Sequence, residues 1–204
     1  MHFLCVASAA HFLFLERMDN KMKTKTKMKQ ILSALLALLM LFGALPATVF
    51  AAEQTNPLDY LTYEISDGEV TITDCDTSIS GELTIPETIE GYPVTKIGEA
   101  AFYGRSGLTS IAIPNSVTCI GYWAFRACYG LTSVTIPNGV INIEEGAFES
   151  CDNLTNITIS NSVKVIGGNA FRDCTMLTSI MIPNSVTSIG SWAFGGCVGL
   201  ASIT

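Results

Sequence analysis

The sequence predicts a solenoid built mainly of short β-strands, with one short helical or 3-10 turn per coil and a β-hairpin closing the N-terminal end. Three observations carry this prediction. Four gapless units of 23 residues repeat one apolar pattern, each unit opens by alternating apolar and polar residues, and an Asp-Gly pair joins two alternating runs ahead of them.

In chain order, residues 21–29 (KMKTKTKMK) form a positive run and residues 31–45 (ILSALLALLMLFGAL) an apolar core ending at the helix breaker Pro46. With Val49 and Ala51 at the −3 and −1 positions, this reads as an export signal cut before Ala52. The rival is a retained anchor, because residues 31–52 are long enough to span a bilayer. The apolar stretch within residues 1–17 precedes the basic run, an order signal peptides lack. Residues 1–51 are therefore expected to be an upstream extension plus signal peptide, with translation starting at Met1, Met18, Met22 or Met28.

Residues 52–82 hold the cap. Leu61, Tyr63 and Ile65 alternate with polar residues, Asp67-Gly68 is a type I′ turn signal, and Val70 and Ile72 resume the alternation. Residues 83–107 form a degenerate first coil with about five extra residues around Gly91 and Pro93. Residues 108–204 contain the units 108–130, 131–153, 154–176 and 177–199, then a truncated fifth. Within the first, Leu108, Ile111, Ile113, Val117, Ile120, Ala124, Phe125 and Cys128 are the inward positions. The L-x-x-I-x-I opening reads as a strand, Pro-Asn turns the chain, V-x-x-I is a second extended run, and A-F-x-x-C is the short helical turn. One such unit cannot bury enough apolar surface to order its own backbone, so the units must stack. The chain ends inside a strand, which leads to the expectation of a longer protein.

The repeated LTSIxIPNSVTxIGxxAFxxC motif closely resembles the BspA-like class of bacterial leucine-rich repeats, and IPETIEGYPVTKIG is similar to that family's entry segment. The resemblance covers about residues 60–204. It implies a leucine-rich-repeat solenoid, right-handed and curved, in a secreted or cell-surface bacterial protein associated with adhesion and protein binding. The departures are Ser160 in place of Pro and Arg105 in place of Cys.

Composition removes several function classes. Residues 52–204 carry 5 basic and 16 acidic side chains, the wrong balance for a nucleic-acid partner. Both histidines, His2 and His11, lie in the leader, which leaves no His for a catalytic triad, a general base or a metal site. No G-x-S-x-G elbow occurs, and no enzyme activity is expected. Cys128, Cys151, Cys174 and Cys197 recur every 23 residues; stacked in parallel they suit neither a disulfide nor a metal and read as small buried hydrophobes. Cys75 and Cys119 lie off that column. The pair Asp74 and Asp76 and the cluster Glu144, Glu145, Glu149 and Asp152 lack calcium-loop spacing and read as solvated surface carboxylates. Neither a cofactor nor a metal is expected.

A binding surface is the remaining option. In repeats of this form the third, fifth and eighth side chains point outward from the strand side: Ser110, Ala112 and Asn115; Ser133, Thr135 and Asn138; Asn156, Thr158 and Asn161; Ser179, Met181 and Asn184. This strip, small and uncharged, suits a protein or cell-surface glycan, although exposed strand positions favour Thr without any ligand. Trp123 and Trp192 share the sixteenth position, either as partner anchors or as filler along the turn. Membrane contact is expected only through the signal peptide or an anchor. The functional expectation is a non-catalytic, exported binding or adhesion module; the alternative is a targeting or spacer region of a larger exported enzyme.

Overall fold

A computed structural model describes residues 56–204; the signal-peptide expectation for residues 1–51 lies outside the described residues. The described chain begins with a 3-10 turn, Pro57–Asp59, whose cap Asn56 accepts the Leu58 N–H through its side chain. Strands β1 (Leu61–Ser66) and β2 (Glu69–Cys75) then pair antiparallel around Asp67 and Gly68, with φ of 54° and 78°. Positive φ at both central residues is the condition for a type I′ turn, which the Asp-Gly pair meets.

Strand β2 also pairs in parallel with β5 (Tyr92–Ile97), so the hairpin closes the edge of the sheet that the coils extend. The extra residues of the entry coil form a second, smaller hairpin between β4 (Thr88–Ile89) and β5. Its turn residues, Glu90 and Gly91, again both have positive φ.

Each coil adds one rung to each of two parallel ladders. The V-x-x-I runs continue the first ladder from β5 through β7 (Cys119–Ile120), β9 (Asn142–Ile143), β11 (Val165–Ile166) and β13 (Ser188–Ile189). The L-x-x-I-x-I openings build the second: β3 (Gly81–Thr84), β6 (Leu108–Ala112), β8 (Ser133–Ile136) and β10 (Asn156–Ile159). Strands β12 (Ser179–Ile180) and β14 (Ser202–Ile203) form a further parallel pair.

The A-F-x-x-C segment is the short turn of each coil, but it is not a continuous helix: its backbone has a ladder of its own. In the unit 108–130, Ala124, Arg126 and Cys128 donate backward within the turn, to the Gly121, Trp123 and Phe125 carbonyls. The intervening Trp123, Phe125 and Ala127 donate forward, to the Glu145, Ala147 and Glu149 carbonyls of the next coil. The same alternation recurs through Ser150 and Asp173, so the backbone serves two neighbours in turn instead of closing on itself. The geometry requires a left-handed residue at each end. These are Ala100, Trp123, Gly146, Asn169 and Trp192 at the sixteenth position, and Gly104, Ala127, Ser150, Asp173 and Gly196 at the twentieth.

The core is a set of columns. Phe102, Phe125, Phe148, Phe171 and Phe194 stack with centroids 4.9–5.6 Å apart and planes within 13° of parallel. Beside them, the Cys128, Cys151, Cys174 and Cys197 thiols lie 3.0–3.3 Å from the Phe102, Phe125, Phe148 and Phe171 carbonyl oxygens. The thiols are free, and each donates a weak hydrogen bond to the preceding coil while filling its core volume. Arg105 takes the equivalent place in the entry coil and ties the cap down, donating to the Cys75 and Tyr103 carbonyls and pairing with Asp74 at 2.7 Å.

One carboxylate is not the solvated surface group expected. Glu149 is only 9% exposed because it lies between Arg126, at 3.2 Å, and Arg172, at 4.0 Å. The nineteenth position thus reads Tyr103, Arg126, Glu149, Arg172 up the stack, with the Arg126 guanidinium 6.0 Å from the Tyr103 ring centroid. Asp76 instead accepts the Ser78 N–H at 2.8 Å, and this bond holds its carboxyl below the usual range.

Candidate functional site

Alternation in the opening strand sends the fourth and sixth side chains inward and the third and fifth outward, and the Pro-Asn turn that follows keeps its Asn outside. Ala112, Asn115, Ser133, Thr135, Asn138, Asn156, Thr158, Asn161, Ser179, Met181 and Asn184 are all exposed, and Ser110 is half-buried. Between these outward rows lies a groove of about 410 Å³. Its rim includes Ala112, Asn115, Thr135, Asn138 and Thr158, and its floor includes Ile113, Ile136, Pro137 and Ser160.

The groove therefore spans three coils and gathers five of the twelve strip residues. Ser179, Met181 and Asn184 lie outside it, and the 72% exposed Met181 thioether breaks the row of small polar side chains there. No charged side chain lines the groove. The exposed amides of Asn115 and Asn138 and the hydroxyls of Thr135 and Thr158 are donors and acceptors together, set over an aliphatic floor. Ser160, which replaces proline in its coil, is already engaged: its Oγ donates to the Pro137 carbonyl at 2.9 Å and lies 2.7 Å from Ser162 Oγ. Such a surface can recognise an uncharged chain by hydrogen bonds and apolar contact. Among the described residues, no group of three or more His, Cys, Asp or Glu converges as metal ligands.

Trp123 and Trp192 belong to the turn side and do not join the groove. The Trp123 indole lies over Gly146 of the next coil, where an added Cβ would collide with its Cδ1. Trp123 is thereby reduced to 37% exposure while Trp192 remains 72% exposed. Tyr103, Tyr122 and Tyr129 are exposed on the same side.

The model of the BspA type leucine rich repeat region matches residues 82–204 with six copies. The chain belongs to this family. The structure of the T. pallidum leucine-rich repeat protein TpLRR is similar to this BspA-type chain, with a TM-score of 0.69 and 34% identity over 72% of this chain and 70% of that one. The pneumococcal vaccine antigen PcpA shares the fold at a TM-score of 0.55 and 18% identity, over 71% of this chain and 48% of that one. A leucine rich cell surface protein from Faecalibacterium prausnitzii matches with 29% identity and a TM-score of 0.45, over 71% of this chain and 52% of that one. No curated protein matches in sequence. BspA-type repeat proteins of this fold are generally non-catalytic.

The groove floor escaped the sequence reading, which treated Ile113 as core when it is half-buried. Glu149 was read as a solvated surface carboxylate where the structure buries it, and the left-handed turn positions went unread. The signal for both lies down the columns: the twentieth position holds only Gly, Ala, Ser and Asp, and the nineteenth alternates in charge from Arg126 to Arg172.

Proposed function

We propose that this chain is an exported or cell-surface module of non-catalytic binding or adhesion, whose strand-side groove takes a protein or glycan partner. The observation that carries the proposal is the uncharged 410 Å³ groove, formed where three successive coils present small polar side chains. The basic run and apolar segment of residues 21–45 support export, and the family's association with surface and binding roles supports the rest. Trp123 and Trp192 are assigned a secondary role as exposed anchors on the turn side.

The test pairs a groove variant with a turn variant. Purified protein is applied to fixed cells and to immobilised surface proteins and glycans, and retention is measured. Thr135→Arg with Thr158→Arg fills the groove with charge and is expected to abolish retention without lowering the melting temperature; Trp192→Ala is expected to weaken it less. Retention unchanged by the groove pair, or absent for the parent protein on every surface, overturns the proposal.

A further inference from the structure

The four turns that edge the strand side differ in two residues: Ser160 stands in place of Pro in one, and the residue after Asn changes in another. Asn115, Asn161 and Asn184 are each followed by Ser, whereas Asn138 is followed by Gly139. Asn138 and Gly139 are the central residues of a turn closed by the Val140 N–H donating to the Pro137 carbonyl at 3.1 Å. Neither central residue has positive φ, which makes the turn type I. Asn138 is exposed and lines the groove, and among the described residues the Gly139 N–H donates no hydrogen bond.

An Asn side-chain carbonyl carbon beside a free backbone amide one residue on is the arrangement for ring closure, and the Cβ of the following residue is what ordinarily obstructs it. Gly139 has none, and glycine has the most permissive backbone of any residue. We propose that Asn138 is a self-modifying site in the groove, converting to a carboxylate through a cyclic imide with Gly139. The Gly139 nitrogen attacks Cγ of Asn138 and a C–N bond forms. The Cγ–Nδ2 bond breaks, and the side-chain nitrogen leaves as ammonia, taking the proton that the Gly139 nitrogen gives up. Water then adds to either ring carbonyl and reopens the imide, leaving an acid in place of the amide, on an α- or a β-linked residue. The net change is water in and ammonia out, with no change of oxidation state and one new negative charge. The product carboxylate stands alone in a groove whose lining otherwise carries no charge.

The test ages the full chain in mildly alkaline buffer and follows each amide by fragmentation mass spectrometry of its proteolytic peptides. The expected result is acid and its β-linked isomer accumulating at position 138 while Asn115, Asn161 and Asn184 remain amides, with Gly139→Ser slowing the conversion at least tenfold. A Cβ at Gly139 would press on the Asn115 and Val117 carbonyl oxygens, so Gly139→Ser carries a folding cost of its own. The three Asn-Ser turns of the parent molecule serve as the reference that needs no variant. Equal conversion at all four turns overturns the proposal, as does a position 138 that stays an amide in the folded chain while the urea-unfolded chain converts.

Discussion

The coil at 131–153 and the coil at 177–199 have nearly the same pattern and different environments. Phe148, Cys151 and Ile143 are fully buried, whereas Phe194 and Cys197 are half-buried and Ile189 is 49% exposed. The turn donors differ in the same sense. Gly146, Phe148 and Ser150 donate to the Gly168, Ala170 and Arg172 carbonyls, while Trp192, Phe194 and Gly196 donate to no group among the described residues. Identical residue types in identical positions thus differ because one coil has a full neighbour on its far side. Burial in this fold is a property of the pair of coils, as expected when stability sums over nearest neighbours.

Truncating the phenylalanines tests that comparison with the largest effect. In a polypeptide that ends at Thr204, Phe148→Ala is expected to cost about 3–5 kcal/mol in urea unfolding, and Phe194→Ala less than half as much, about 1–2 kcal/mol. Equal costs would break the comparison. Gly146→Ala comes next, at about 1–3 kcal/mol, because its Cβ meets the Trp123 indole. Other residues adopt the left-handed backbone at this position, so the cost is expected to shrink in a Trp123→Ala background, which a double-mutant cycle measures.

Charge gives a smaller contrast. Glu149→Gln is expected to cost about 1–2 kcal/mol, since it leaves Arg126 and Arg172 without their shared carboxylate, whereas Asp173→Asn, at a solvent-facing pair, is expected to cost about 0–0.5 kcal/mol. The buried thiols add a pH dependence. Burial pushes the Cys75 thiol up to about 11 and the Cys128 thiol up to about 12, from an ordinary 9.0. The folded chain keeps these protons after the unfolded chain has lost them, so the thiols' contribution is whole below pH 9 and falls as pH rises toward 11–12. At one pH unit above 9 the loss is about 1 kcal/mol per thiol, and Cys128→Ala is expected to flatten the decline in urea midpoint.

Much of the fold was legible because the repeat fixes which residues share a column, and a column of Phe or Cys has one place to go. The cap hairpin was legible from Asp67-Gly68 for an equally local reason: few residue pairs accept positive φ twice. The turn ladder was not, since left-handed backbone is carried here by Trp123, Ala127, Ser150 and Asp173, residues that do not announce it. The inter-coil hydrogen bonds over-determine that conformation, and they appear only once the coils are stacked. At the groove, the outward rows followed from strand alternation, but the half-burial of Ile113 and Ser160 in its lining appears only once the coils are stacked.

Amide hydrogen exchange, resolved by residue, tests the neighbour-coil account most directly. For a polypeptide that ends at Thr204, the account predicts strong protection at the forward-donating amides of Phe125, Phe148 and Phe171 and exchange at close to the unstructured rate for Phe194 and Gly196, with protection gained at both once a further coil is appended. Equal protection of Phe148 and Phe194 would contradict it.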